Sequence, residues 1–295
     1  MNLNRIEQKH HAITRAAMPS TAGQRMLNKV PEVTVLFWII KVLATTVGET
    51  AADLLSEKLK LGEGYTGLVM AMVLLVVMFF QFRARKYIPS IYWLVVVLIS
   101  IVGTLISDNL VDNLGVPLQV TTTLFSIALA VTFSVWYFRE RTLSIHTIFT
   151  TRRETFYWLT ILFTFALGTS GGDLLSEGLK WGYLNSTFIF AGAIGLVAIA
   201  HYFFKLNAVA AFWIAYILTR PLGASLGDLL SQHHSVGGFG LGTVKTSALF
   251  LVTIACLVRY LAFTRIDQPP AIDLDSDIAA HGHDTRLPPE SSNCD

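Results

Sequence analysis

One pattern, written four times, limits what this chain can become. Its third copy is Gly168-Thr169-Ser170-Gly171-Gly172-Asp173; the others run from Gly48, Gly103 and Gly223 to Asp53, Asp108 and Asp228. Ten residues before each Gly stands the Trp of an aromatic–Trp pair: Phe37-Trp38, Tyr92-Trp93, Tyr157-Trp158 and Phe212-Trp213. Four residues after each Asp comes Glu57, Asp112, Glu177 or Gln232. Copies at fixed spacing are supersecondary units that bury their apolar faces on one another. The fold must therefore give four similar helices four similar surroundings.

Those surroundings are a bilayer. Of 295 residues, 53% are apolar and 14% charged, with a mean hydropathy of +0.55. The stretch Gly67–Phe82 carries no charge and approaches the length of a membrane span. Eight spans are predicted, at 33–56, 66–84, 90–112, 118–138, 156–178, 185–204, 208–231 and 245–264. The expected fold is an all-α membrane protein with four parallel two-helix repeats, each pairing a motif helix with a plainer one. The motif helices are expected at the centre, because each carries a small-xxx-small pair (Gly48/Ala52, Gly103/Ser107, Gly168/Gly172, Gly223/Gly227) of the kind that lets membrane helices approach closely.

The organisation reads as a polar arm over 1–31, two halves of two hairpins each over 32–145 and 146–265, and a polar tail over 266–295 expected to be disordered. Arg83, Arg85, Lys86, Arg139, Arg141, Arg152, Arg153, Lys205 and Arg265 fall on one side of the spans. The excess of Lys and Arg in short loops places that side, and both termini, in the cytoplasm. The first residues lack an apolar core, so no cleaved signal peptide is expected. Cys256 and Cys294 offer no disulfide framework. A net charge of +2 gives no reason to expect a nucleic-acid partner.

On a helical wheel the Trp, Gly and Asp positions share one stripe. Counting from the Trp, the Gly lies about 15 Å and the Asp about 22 Å into a core roughly 30 Å thick. A carboxylate at mid-membrane costs about 2.5–3.5 kcal/mol, so four facing one axis need protons, a cation or water. Asp53, Asp108, Asp173 and Asp228 are the candidate cation ligands. Asp53/Glu57, Asp108/Asp112 and Asp173/Glu177 read as chelate-like i, i+4 pairs, with Gln232 in the fourth copy followed by His233-His234. Oxygen-only ligands suit hard cations such as Mg, Mn or Ca. The competing reading makes each Asp and its second acid a wetted helix end. Gly48, Gly103, Gly168 and Gly223 are read as packing positions.

Two cations lie within spans. Arg220 is the candidate charge-balancing residue, with Glu49 as its partner, and Pro221 beside it is expected to break the helix. Lys41 is read first as a side chain snorkelling to the nearer interface, and otherwise as a second counter-ion. No nucleophile–base pair or phosphate-binding motif is present, so the protein is read as no enzyme and as needing no cofactor.

The stretches Lys29–Leu55 and Thr151–Leu175 resemble a bacterial family of repeat-containing integral membrane proteins of uncharacterised function. The resemblance covers residues 28–265 and implies an inner-membrane helical protein; it carries over no activity and no site residues. The functional expectation therefore rests on the acids: a secondary transporter with lipid around it and a divalent cation, Mn2+ first, or a proton as its substrate, efflux favoured. The alternatives are a non-transporting scaffold or sensor acting through arm and tail, and a proton-coupled carrier of a small organic solute.

Overall fold

Uncharged stretches as long as a bilayer is thick must satisfy every backbone group internally, and they do so as helices. The computed structural model describes residues 28–58 and 62–268. Among the described residues there are eight long helices and no strand. They are α1 (Val35–Asp53), α2 (Glu63–Arg83), α3 (Pro89–Asp108), α4 (Leu118–Glu140), α5 (Thr151–Asp173), α6 (Tyr183–Phe204), α7 (Ala208–Ser231) and α8 (Thr243–Thr264). All eight are long and apolar enough to cross a membrane. The protein is a multi-pass membrane protein of four two-helix repeats. Where the predicted fifth span begins at 156, α5 begins at Thr151, because Thr150 caps it and Arg152 and Arg153 fold back onto Glu140 at 2.5 and 2.6 Å.

The odd-numbered helices make a closed ring: α1 packs on α3, α3 on α5, α5 on α7, and α7 back on α1. Their most apolar windows are 56–78% buried, against 0–28% for the even-numbered helices, so the motif helices are central. The repeat Gly explains how close they come. A Cβ on Gly48 would collide with Ser100, one on Gly103 with Phe165, one on Gly168 with Arg220, and one on Gly223 with Thr45. In every case the neighbour stands three residues before the motif Gly of the next repeat around the ring. Four glycines thus receive four side chains in one cyclic order, the small-residue contact by which membrane helices associate.

The outer helices are offset by one repeat. Each packs chiefly on the inner helix of the following repeat: α2 on α3, α4 on α5, α6 on α7, and α8 on α1. The two predicted halves are therefore interlocked, α4 lying on α5 and α8 on α1.

At the Trp end the ring is filled by aromatic rings. The Tyr92 and Tyr157 hydroxyls meet at 2.5 Å, and Phe37, Trp93, Trp213 and Tyr216 interleave around them. The last residues of the expected arm join this end: Asn28, Lys29 and Val30 are buried. Lys29 pairs with Glu154 at 2.7 Å, and Gln81 donates to the other carboxylate oxygen at 3.1 Å. Beyond α8, Tyr87 donates to Asp267 at 2.5 Å, and the Asp267 carbonyl accepts from Glu32 N–H at 3.0 Å. Burial holds the Asp267 carboxyl above the usual carboxylate range and the Tyr87 hydroxyl well above that of an ordinary tyrosine. The rest of the expected arm, and the tail from 269, lie outside the described residues.

At the Asp end, α1, α3 and α5 each pass directly into a π-turn, at Leu54–Lys58, Asn109–Asn113 and Leu174–Gly178. In α7 the α-helix continues to Ser231. It also runs unbroken through Pro221, contrary to the expected break. Pro221 lies against Gly168 and Gly172, and packing on two side-chain-free positions holds the helix across the proline.

Candidate functional site

The site is built where the ring narrows around Arg220. Its side chain, from α7, is fully buried and sits over Gly168 of α5, which turns the guanidinium onto the ring axis. Nη2 donates to the Glu49 carboxylate of α1 at 2.9 Å, to Thr169 of α5 at 2.5 Å and to Thr104 of α3. Nη1 donates to the Thr45 carbonyl at 3.3 Å. Glu49, Thr104 and Thr169 each follow the motif Gly of their repeat, and the fourth residue in that column is Ala224. One guanidinium is thus held by three repeats from the centre of the ring. Arg220 and Glu49, paired on sequence grounds, are in contact; Thr104 and Thr169 were not singled out. The signal for them is the column itself, polar in three copies.

Toward the Asp end, one carboxylate oxygen each of Glu49, Asp173 and Asp228 lies within 4.8 Å of the other two. Glu49 reaches the group by leaning toward α7, where Gly227 leaves room for its Cβ. Asp53 and Glu177 act electrostatically on both Asp173 and Asp228. The group therefore draws on α1, α5 and α7, three consecutive helices of the ring. Asp108, on α3 across the ring from α7, is not a member. The four motif acids, equivalent in sequence, are unequal in place.

An i, i+4 pairing is not what gathers these three oxygens. The three gathered oxygens come from three helices and include none of the second acids. Beyond each Asp of the first three repeats the helix widens to i→i+5 bonding, which swings residue Asp+4 off the α-helical stripe. Asp112 and Glu177 are exposed, and Glu177 accepts from Tyr183 at 2.8 Å. The Glu57 side chain lies outside what the structure describes. Gln232 caps α7; His233 and His234 are exposed in the turn that follows.

Lys41 also lies otherwise than expected. It does not snorkel: it is fully buried, its Nζ 4.0 Å from the Phe165 ring centroid and 4.1 Å from that of Tyr216. Among the described residues Nζ has no hydrogen-bond partner. The reason is geometric. The nearer end of the ring is closed by the Tyr and Trp rings, so the lysine has no route to the interface, and the two ring faces hold it as cation–π partners. The core is therefore layered along the axis, carboxylates first, then Arg220, then Lys41.

A closed ring of four repeats around buried carboxylates and cations, each repeat contributing one inner and one outer helix, defines a class of multi-pass membrane protein. The family model for a repeat of unknown function (DUF347) matches residues 36–87, 91–142, 156–207 and 211–267. The chain belongs to that family. Each matched stretch begins two residues before a motif Trp, so the family's repeat and the structural repeat coincide. Comparison with curated proteins and with solved structures finds no match.

Proposed function

We propose that the protein is a secondary transporter of the bacterial inner membrane, with both termini cytoplasmic, that exports a hard divalent cation of the manganese type. The observation that carries this reading is the trio Glu49, Asp173 and Asp228. A triangle of carboxylate oxygens no wider than 4.8 Å suits a cation held at metal–oxygen distances of about 2.0–2.6 Å. All three ligands are oxygens, which favours Mg, Mn or Ca over zinc or copper. The Arg220 guanidinium beside Glu49 supplies a tethered positive charge for the state without the ion. Ionisable groups inside a membrane protein are costly and mark pathways.

The loops support this orientation. The Trp end carries Arg83, Arg85, Lys86, Arg139, Arg141, Arg152, Arg153, Lys205 and Arg265, the excess expected of a cytoplasmic face. Asp112, Glu177 and Gln232 then line the outer mouth.

The test is elemental analysis of cells lacking the protein, with wild type, Asp173→Asn, Asp228→Asn and Asp108→Asn returned separately. The expected result is one divalent metal raised in the deletion, lowered by wild type and by Asp108→Asn, and not lowered by the other two. If no metal changes, or if Asp173→Asn and Asp228→Asn restore the wild-type level, the reading is wrong.

A further inference from the structure

The ring axis carries a column of ionisable side chains whose order follows from the repeat. Arg220 stands three residues before its motif Gly, Lys41 and Tyr216 seven before theirs, and Tyr92 and Tyr157 eleven before theirs. Each such step of four residues is about 6 Å along a helix. Below them, at the Trp end, lie Tyr87 and Asp267, both buried and hydrogen-bonded at 2.5 Å. Reading the acids and Arg220 as a cation site leaves Lys41 and the four tyrosines without a task.

Lys41 is built for two states. As an ammonium it is held by the faces of Phe165 and Tyr216, contacts that strengthen when desolvated. As a neutral amine it escapes both the repulsion of Arg220 and the cost of a buried charge without a hydrogen-bond partner. The groups facing it are few. α7 brings Tyr216 and Arg220, α5 brings Phe165 with Tyr157 a turn below, and α3 brings Tyr92 at that lower level. On α8, Lys245, Cys256, Arg259 and Tyr260 are exposed and face away. On α1 itself the next ionisable residue is Glu49, which is committed to Arg220. No carboxylate pairs with Lys41 among the described residues, whereas the buried Tyr216 hydroxyl beside it also lacks a partner.

Resting on the transport reading above, we propose that Lys41 is the proton carrier of this protein, with the hydroxyls of Tyr216, Tyr157, Tyr92 and Tyr87, and then Asp267, standing in order between it and the Trp end. In the outgoing step an N–H bond of the ammonium breaks and its electron pair stays on Nζ. The proton binds a hydroxyl oxygen, and that hydroxyl gives up its own proton to the next, so every tyrosine ends unchanged. The amine is reloaded from the Asp end in the opposite phase of the cycle, so one proton crosses the membrane per turnover. The coupling ion is thus H+, and it travels on a residue separate from the carboxylates that hold the metal.

The experiment uses the purified full chain in liposomes, with manganese as the probe ion and a trapped pH dye. Wild type, Lys41→Gln and Lys41→Arg are compared, the last keeping the positive charge while being unable to shed a proton at these pH values. Monodispersity and melting temperature establish that each is folded. The expected result is that wild type accumulates manganese down an imposed pH gradient and moves protons when manganese is added. Both variants should still exchange manganese across the membrane at equilibrium, while losing gradient-driven accumulation and the proton signal. A variant that accumulates manganese as wild type does overturns the assignment of Lys41. A wild type that exchanges manganese with no proton signal overturns it too and leaves the transport reading standing; a wild type that moves no manganese removes both.

Discussion

Arg220 is the residue on which the core depends, because its guanidinium is fully buried and shared by three repeats. Removing one partner of a buried ion pair costs about 3–5 kcal/mol, since the other charge is left unpaired. Arg220→Gln should therefore lower the melting temperature in detergent sharply. The double variant with Glu49→Gln should recover part of the loss; a double variant as damaged as the sum of the two singles would show that the pair is not coupled. The pairing itself was legible in the sequence, since Arg220 and Glu49 are each the lone charge at their repeat position. The fate of Lys41 was not. Whether a lysine near a helix end snorkels or is enclosed depends on what neighbouring helices place around it, here Phe165 and Tyr216 from two others. Nor could four matching Asp residues be ranked, because the ranking comes from where Glu49 meets α7 at Gly227, beside Asp228.

Among the elements, the Gly positions carry the sharpest expectation. Gly168→Ala must displace the Arg220 side chain that lies over it, and overpacking of this kind costs about 1–3 kcal/mol. Gly192→Ala on α6 meets open space and should leave melting unchanged or raise it. Equal effects at the two sites, in a thermal-shift comparison, would contradict the interlocked ring. The spans and the central place of the motif helices could be read from periodicity and small residues. The π-turns could not, because a turn widens where packing and loop closure demand it and no residue type announces it. That single local change is why Asp112 and Glu177 face solvent and not the axis. The partner of each outer helix was equally hidden: apolar faces such as those of α2 and α6 fit any apolar neighbour, and only the assembled ring selects the next repeat.

At the scale of the molecule, closure makes the two sequence halves incomplete alone. A chain of residues 1–145 leaves α1 without α7 and α8, and α4 without α5. The halves 1–145 and 146–295, expressed together, should copurify through a tag on either one, and each expressed alone should be lost to degradation or aggregation. Halves that are each monodisperse and melt cooperatively would refute this. The Trp-end closure adds a dependence on pH. Burial raises the Asp267 carboxyl, so the folded chain keeps a proton there that the unfolded chain has released. That stabilisation is complete below the ordinary carboxylate value and is lost as pH rises through the raised one. Melting temperature should fall across that interval, and Asp267→Asn should flatten the fall.

The offset of the outer shell also sets a timetable for biogenesis. Of the eight helices, α1, which bears Lys41, Glu49 and Asp53, leaves the ribosome first, and the helices that enclose it, α7 and α8, are the last of the eight to be made. During most of synthesis these charged groups must wait in or beside the insertion machinery with no Arg220 to meet Glu49. A nascent chain halted before α7 presents an ionisable, unfinished flank to lipid, the kind of segment that membrane quality control detects. A helix with three ionisable residues is thus left open for longest, and only the last two helices of the eight can complete its cover.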